Sequence, residues 1–247
     1  MTTRERLSGI MKAARPHLLR IACFLFIFSF LLPYVDVLGC TSKKIETIHG
    51  YQLIKGAPAV FYLFAIAAFV LMLIFSFYRK DASPSLRAFG AAWRAIAAAV
   101  SGFIVWLIPG IQFLFDNVYM LAGQLLGLVC VVLVFSDAMA VSVGEYALLR
   151  KEAVSPEGAK AFPAALGKLH IAVVIISFAL VPFYGYLLRD EFMLAVMYFL
   201  FLSIPFALSQ AIVIQGIRRG ERWTLRWTPA AAVLLVAVIA LVILSYF

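Results

Sequence analysis

The sequence predicts an all-α fold: a polytopic bundle of seven transmembrane helices forming one domain over residues 1–247. Three observations predict it. Of the 247 residues, 65% are hydrophobic and only 13% charged, against about 45–50% and about 25% in soluble domains. The apolar residues fall in long blocks, matching the ~20 residues a helix needs to cross ~30 Å of hydrocarbon. The blocks lack the apolar–polar alternation of barrel strands, which excludes a membrane β-barrel.

Residues 1–17 form a basic, mildly amphipathic segment. Thr2 and Glu5 have capping-box spacing, and Leu7, Ile10, Met11 and Ala14 share one helical face. Two readings stand: an interfacial helix on anionic lipid, or a plain basic flank to the first span. Pro16 is expected to end this helix.

The seven spans are Leu18–Leu38, Ala57–Tyr78, Gly90–Phe115, Val118–Val143, Lys168–Leu188, Phe192–Gly216 and Thr228–Phe247. Pro58 and Pro229 sit where a first-turn proline belongs, and Thr228 is a ready N-cap. Pro33, Pro109, Pro182 and Pro205 fall inside or near the ends of spans and are expected to kink or shorten them. Pro109-Gly110 is expected to split the third.

Charge sets the orientation. Alternate segments carry 17 of the 21 basic residues, and the other set carries only Lys43, Lys44, Lys55 and Arg189. This asymmetry predicts a cytoplasmic N-terminus, an external C-terminus, an external loop at 39–56 and a cytoplasmic loop at 144–167. It also accounts for the net charge of +9 without nucleic acid as a partner. The expected partners are the lipid bilayer and another membrane or periplasmic protein.

A faint internal echo suggests a 3+1+3 arrangement. Leu31-Leu32-Pro33-Tyr34 echoes Leu180-Val181-Pro182-Phe183, Gly50-Tyr51 echoes Gly185-Tyr186, and Ala59-Val60 echoes Ala195-Val196, in the same order. Both copies start on the same side, which makes them parallel three-helix repeats. Chance similarity within apolar sequence is the competing reading.

The stretch 31–56 is the long polar interruption on the external side. Val35, Val37, Ile45 and Ile48 alternate with polar neighbours and predict a short hairpin around Cys40-Thr41-Ser42. Gly50 and Gly56 bracket the apolar turn Tyr51-Gln52-Leu53-Ile54. Cys40, Lys43, Lys44, His49, Tyr51 and Gln52 are the candidate docking residues of this loop; the competing reading is an ordered loop that seals the bundle. Val37-Leu38-Gly39-Cys40 loosely matches a lipobox, but Asp36 and Pro33 break the apolar run before it.

The pattern Leu32-Pro33, Cys40, Gly50-Tyr51-Gln52-Leu53 and Gly56 before a span resembles one found in uncharacterised small bacterial polytopic inner-membrane proteins, over residues 31–75. The resemblance implies a bacterial cytoplasmic (inner) membrane location and carries no catalytic residue.

Among polar residues inside spans, Arg94 and Asp137 fall at similar depth near the cytoplasmic boundary and are the candidate intramembrane pair. Such a pair reads either as an ion relay or as a structural bridge that reaches water. His17, His49 and His170 are dispersed. The chain has no Cys-x-x-Cys, no Walker loop, no Gly-x-Ser-x-Gly and no His-Glu-x-x-His, so the sequence points to no metal, haem or other cofactor and to no catalytic residue. The expected function is a non-catalytic accessory or scaffold subunit of a membrane complex. The alternative is a carrier for a small solute or lipid built from two three-helix repeats.

Overall fold

The computed structural model describes residues 3–38, 45–54, 59–78, 83–112, 118–151, 167–176, 199–224 and 226–233. The protein is mostly helical. In chain order come α1 (Thr3–Ser29), β1 (Pro33–Leu38), β2 (Ile45–His49), the single turn α2 (Gly50–Leu53), α3 (Ala59–Tyr78), α4 (Pro84–Gln112), β3 (Val118–Met120) and α5 (Ala122–Lys151). After these come α6 (Gly167–Ile176), a π-turn at Phe199–Ser203 running into α7 (Ile204–Arg218), a helical turn at 222–224 and α8 at 226–233.

Among the described residues, four helices are long and apolar enough to cross a membrane: Ala59–Ser76, Pro84–Val105, Ala122–Lys151 and Phe201–Arg218. Their surfaces say the same. α3 exposes Val60, Phe61, Phe64, Leu71 and Phe75, and α5 exposes Leu125, Val129, Val132 and Leu133. Apolar faces this continuous are stable only against lipid or another protein. The chain is a membrane protein.

The chain divides into two compact units, Met1–Asp81 with Arg94–Met139, and Ala82–Trp93 with Ala140–Phe247. In the first, α1 packs on α3 through a stacked Phe26–Phe69 pair with centroids 3.7 Å apart, and Phe30 sets its ring edge-on to Tyr62 at 6.0 Å. The second unit packs Ala88, Phe89, Ala92, Leu149, Ile212 and Val213 into its own core.

Several expected boundaries change. Pro16 does not end the first helix; α1 runs through it from Thr3 to Ser29. The first span was expected to reach Leu38, but the helix stops at Ser29 and Pro33 opens a strand, a position where the missing N–H costs no ladder bond. The hairpin forms as expected, with Leu38 opposite Ile45. It gains a third strand that the sequence reading had assigned to the fourth span: Val118–Met120 pairs antiparallel with β1, in the order β2-β1-β3. Val118-Tyr119-Met120 is as apolar as the helix after it, so hydropathy alone shows no boundary there.

α4 begins at Pro84 rather than Gly90 and continues through Pro109-Gly110 to Gln112 without splitting. Its start is a Ser-Pro cap: the Leu86 N–H donates to Ser83 Oγ at 3.4 Å, and Pro84 occupies the first helical position. α5 runs on to Lys151, so the first eight residues of the expected loop at 144–167 are helical. Helix α8 already includes Thr228 and Pro229, so Thr228 is an interior residue rather than a cap. Pro58, Pro182 and all the residues that carry the echo in the second copy, 180–183, 185–186 and 195–196, lie outside the described residues, as do residues 234–247 of the seventh span.

Candidate functional site

Three polar constellations interrupt the apolar bundle. The first is a cap on one end of unit one, built mainly from backbone. The last turn of α1 tightens through Leu31 N–H to Phe28 O at 2.9 Å and Leu32 N–H to Ser29 O at 3.1 Å, the short i→i−3 bonds that close helix ends. The chain then enters β1, whose register shifts between Pro33 and Val35 against β2. Tyr34 is the extra residue of this bulge. A bulge re-aims a side chain, and here both Tyr34 and its neighbour Val35 are fully buried, which simple alternation forbids.

The Leu121 N–H donates to Tyr34 O at 3.1 Å and the Gly50 N–H to Leu32 O at 3.3 Å. The start of α5 and the start of α2 are thereby tied to the α1–β1 junction. Gly123 makes the α5 contact feasible: a Cβ there would lie 2.7 Å from Pro33 O and 2.8 Å from Ser29 O, both backbone.

The candidate loop residues divide on this cap. Gln52 accepts the His49 N–H on its side-chain oxygen at 2.7 Å, which caps α2. Tyr51 stacks on His49 at 5.5 Å and remains 43% exposed. Across the ladder, Thr47 Oγ1 donates to Asp36 Oδ1 at 2.7 Å, the cross-strand pair expected from their register. Cys40, Lys43 and Lys44 lie outside the described residues.

The second constellation is a set of polar ties between helices of unit one. Pro109 has no N–H to give its i−4 carbonyl, that of Val105. Gln124 on α5 supplies the missing donor, with Nε2 to Val105 O at 2.9 Å. This is how membrane helices tolerate an interior proline: a neighbour satisfies the freed carbonyl. It also explains why α4 does not split at Pro109.

Asp137 is paired with an arginine of α1. The sequence placed Arg94 beside it by depth; what the structure brings to the Asp137 carboxylate is Arg15 Nε of α1. Arg15 Nη2 also donates to the Asp137 carbonyl at 2.8 Å. Arg20 repeats the grip on α3, with Nε to Ser76 Oγ and Nη2 to Ser76 O, both at 3.2 Å. A guanidinium suits this double hold because its donors are fixed in a fork.

The third constellation lies in unit two. α7 ends in a Schellman turn: Glu221 N–H to Gly216 O and Gly220 N–H to Ile217 O, both at 3.0 Å, with Gly220 at φ 70°. That left-handed residue turns the chain so that Glu221 faces the start of α4. Its Oε2 accepts Ser83 Oγ at 2.9 Å, Trp223 Nε1 at 2.7 Å and Ser85 Oγ.

Above this carboxylate sit four rings. Phe89 and Trp93, four residues apart on α4, interlock with Trp223 and Trp227, also four apart. Centroids are 4.9 Å for Phe89–Trp223, 4.7 Å for Phe89–Trp227 and 5.4 Å for Trp93–Trp227. Two side-chain ties brace the surrounding helices: Arg87 pairs with Glu145 at 3.2 Å, and Ser142 Oγ donates to Ala88 O at 3.0 Å. Sequence reading missed this block. Its signals were the Ser83-Pro84 cap and the two i,i+4 aromatic pairs.

Among the described residues no group of three His, Cys, Asp or Glu side chains is placed to hold a metal. Cys23 and Cys130 are free thiols inside the bundle, and His170 is fully buried on α6. What the described residues show is a set of polar ties between helices and strands. Compared with known proteins, the chain matches no family model, no curated protein and no solved structure.

Proposed function

We propose that this membrane protein is a non-catalytic accessory or scaffold subunit whose β-sheet cap docks another protein. In this reading it lies in a bacterial inner membrane and crosses it seven times. The N-terminus is cytoplasmic, and the cap lies on the external side that the charge asymmetry assigns to residues 39–56.

One observation carries the proposal. Among the described residues the cap is a three-stranded sheet in the order β2-β1-β3, so β2 is an edge strand of that sheet, with backbone donors and acceptors on its outer side. Exposed Thr47, Tyr51 and Gln52 lie on or next to it. An edge held at fixed position by backbone bonds to α1 is suited to accept an extended segment of a partner as a further strand.

Site-specific photo-cross-linking in native membranes tests this. A cross-linker at Tyr51 is expected to give one discrete protein adduct at high yield, while one at lipid-facing Val132 gives none. A cap that yields no protein adduct from Tyr51 is only a plug, and the docking role falls.

A further inference from the structure

We propose that the turn joining α7 to the Trp223–Trp227 segment binds the phosphate group of an anionic phospholipid. The inference rests only on the chain being a membrane protein and stands apart from the docking role of the cap.

The argument starts from charge. Arg218, Arg222 and Arg226 are all exposed, and all lie within nine residues around the Schellman turn. Arg222 and Arg226 directly precede Trp223 and Trp227. Among the described residues of unit two, the nearby carboxylates are committed elsewhere: Glu221 to Ser83, Ser85 and Trp223, and Glu145 to Arg87. The three guanidiniums therefore have no described protein counter-charge.

Depth comes from the aromatic block. Trp223 and Trp227 pack half-buried against Phe89 and Trp93. Tryptophan concentrates where the hydrocarbon gives way to headgroups. A cation one residue before each of these rings then sits at the level of lipid phosphates. The fork of a guanidinium matches two phosphate oxygens at once.

The sequence places arginine and tryptophan in alternation, and the fold removes the acidic neighbour Glu221 by turning it inward. Charge complementarity and depth together favour a phospholipid over a soluble anion, which would gain nothing from the tryptophans.

The test uses the full chain with Trp106→Phe, reconstituted in phosphatidylcholine bilayers containing small amounts of brominated lipid, with tryptophan fluorescence as readout. Brominated phosphatidylglycerol is expected to quench at lower mole fraction than brominated phosphatidylcholine. Each arginine contributes about fivefold at a membrane surface, so Arg222→Gln with Arg226→Gln is expected to lower the preference by up to about 25-fold. Arg222→Lys with Arg226→Lys is expected to keep most of it.

Should the double glutamine variant fail to fold, salt gives the same information on the unaltered arginines. At about 1 M the screening length falls to about 3 Å, and the preference should shrink severalfold. Equal quenching by the two brominated lipids at low salt overturns the proposal, as does a preference that survives both the glutamine substitutions and high salt.

Discussion

The cap of unit one and the Glu221 block of unit two each order one region of a helical membrane protein, by opposite means. The cap is tied down by main-chain bonds: a three-stranded ladder, Leu121 N–H to Tyr34 O and Gly50 N–H to Leu32 O. The block is tied by side chains, with three donors on one carboxylate oxygen and four interlocked rings. Backbone bonds survive most substitutions, because every residue but proline carries the same groups. A side-chain hub is lost with the one residue that makes it. The cap should therefore yield only to changes that push backbones apart, and the block to deletion of a single carboxylate.

The largest expected effect is on the cap. Gly123→Ala places a Cβ within 2.8 Å of two carbonyl oxygens that cannot rotate away. Overpacking of this kind costs about 1–3 kcal/mol, read as a lower thermal midpoint in detergent. Gly144→Ala on the same helix meets nothing within 4 Å and is expected to be neutral or stabilising by about 0.5–1 kcal/mol. Equal effects at the two sites would mean that the cap does not depend on the close approach at Gly123.

Next comes the block. Glu221→Ala removes the oxygen that three donors share and, among the described residues, leaves Trp223 Nε1 and Ser83 Oγ only Ser85 Oγ within reach, at 3.0 and 3.2 Å. Each buried donor left unpaired costs about 1–3 kcal/mol, but Ser85 Oγ remains as a second partner for two of the three, so a total near the lower end is expected. Tryptophan emission should shift to the red as Trp223 loosens. An unchanged spectrum would mean that the rings hold themselves and the carboxylate is incidental.

A smaller effect falls on the tie at Pro109. Gln124→Leu should destabilise by about 1 kcal/mol, because the Val105 carbonyl then has no donor. In a Pro109→Ala background the helix supplies its own N–H, and the same change should cost measurably less. A double-mutant cycle with zero coupling would refute the link between the proline and the glutamine.

The smallest effect is at Asp137. Its pair with Arg15 is partly exposed, 21% and 40% for the two side chains, and exposed pairs contribute about 0–1 kcal/mol, weakened by salt. Asp137→Asn should therefore move the midpoint little. A large loss would give this residue a role beyond bracing α1 against α5.

Sequence alone determined the class and most of the helices. Apolar blocks of bilayer length follow from composition, and the second expected span, Ala57–Tyr78, lies within two residues of α3. The hairpin was legible because strand alternation is a local signal: Val35, Val37, Ile45 and Ile48 mark it without knowledge of the fold. Tertiary structure alone decided which groups meet. Arg15 reaches Asp137, Gln124 serves the carbonyl that Pro109 frees, Val118–Met120 joins the sheet, and Glu221 gathers donors from a helix that begins 137 residues earlier. The physical reason is that lipid removes the usual guide. In water an amphipathic stripe tells which face of a helix turns inward, whereas a span such as α5 is apolar all round its membrane section, so its rotation and partners are set by packing and by a few polar ties that no local pattern marks.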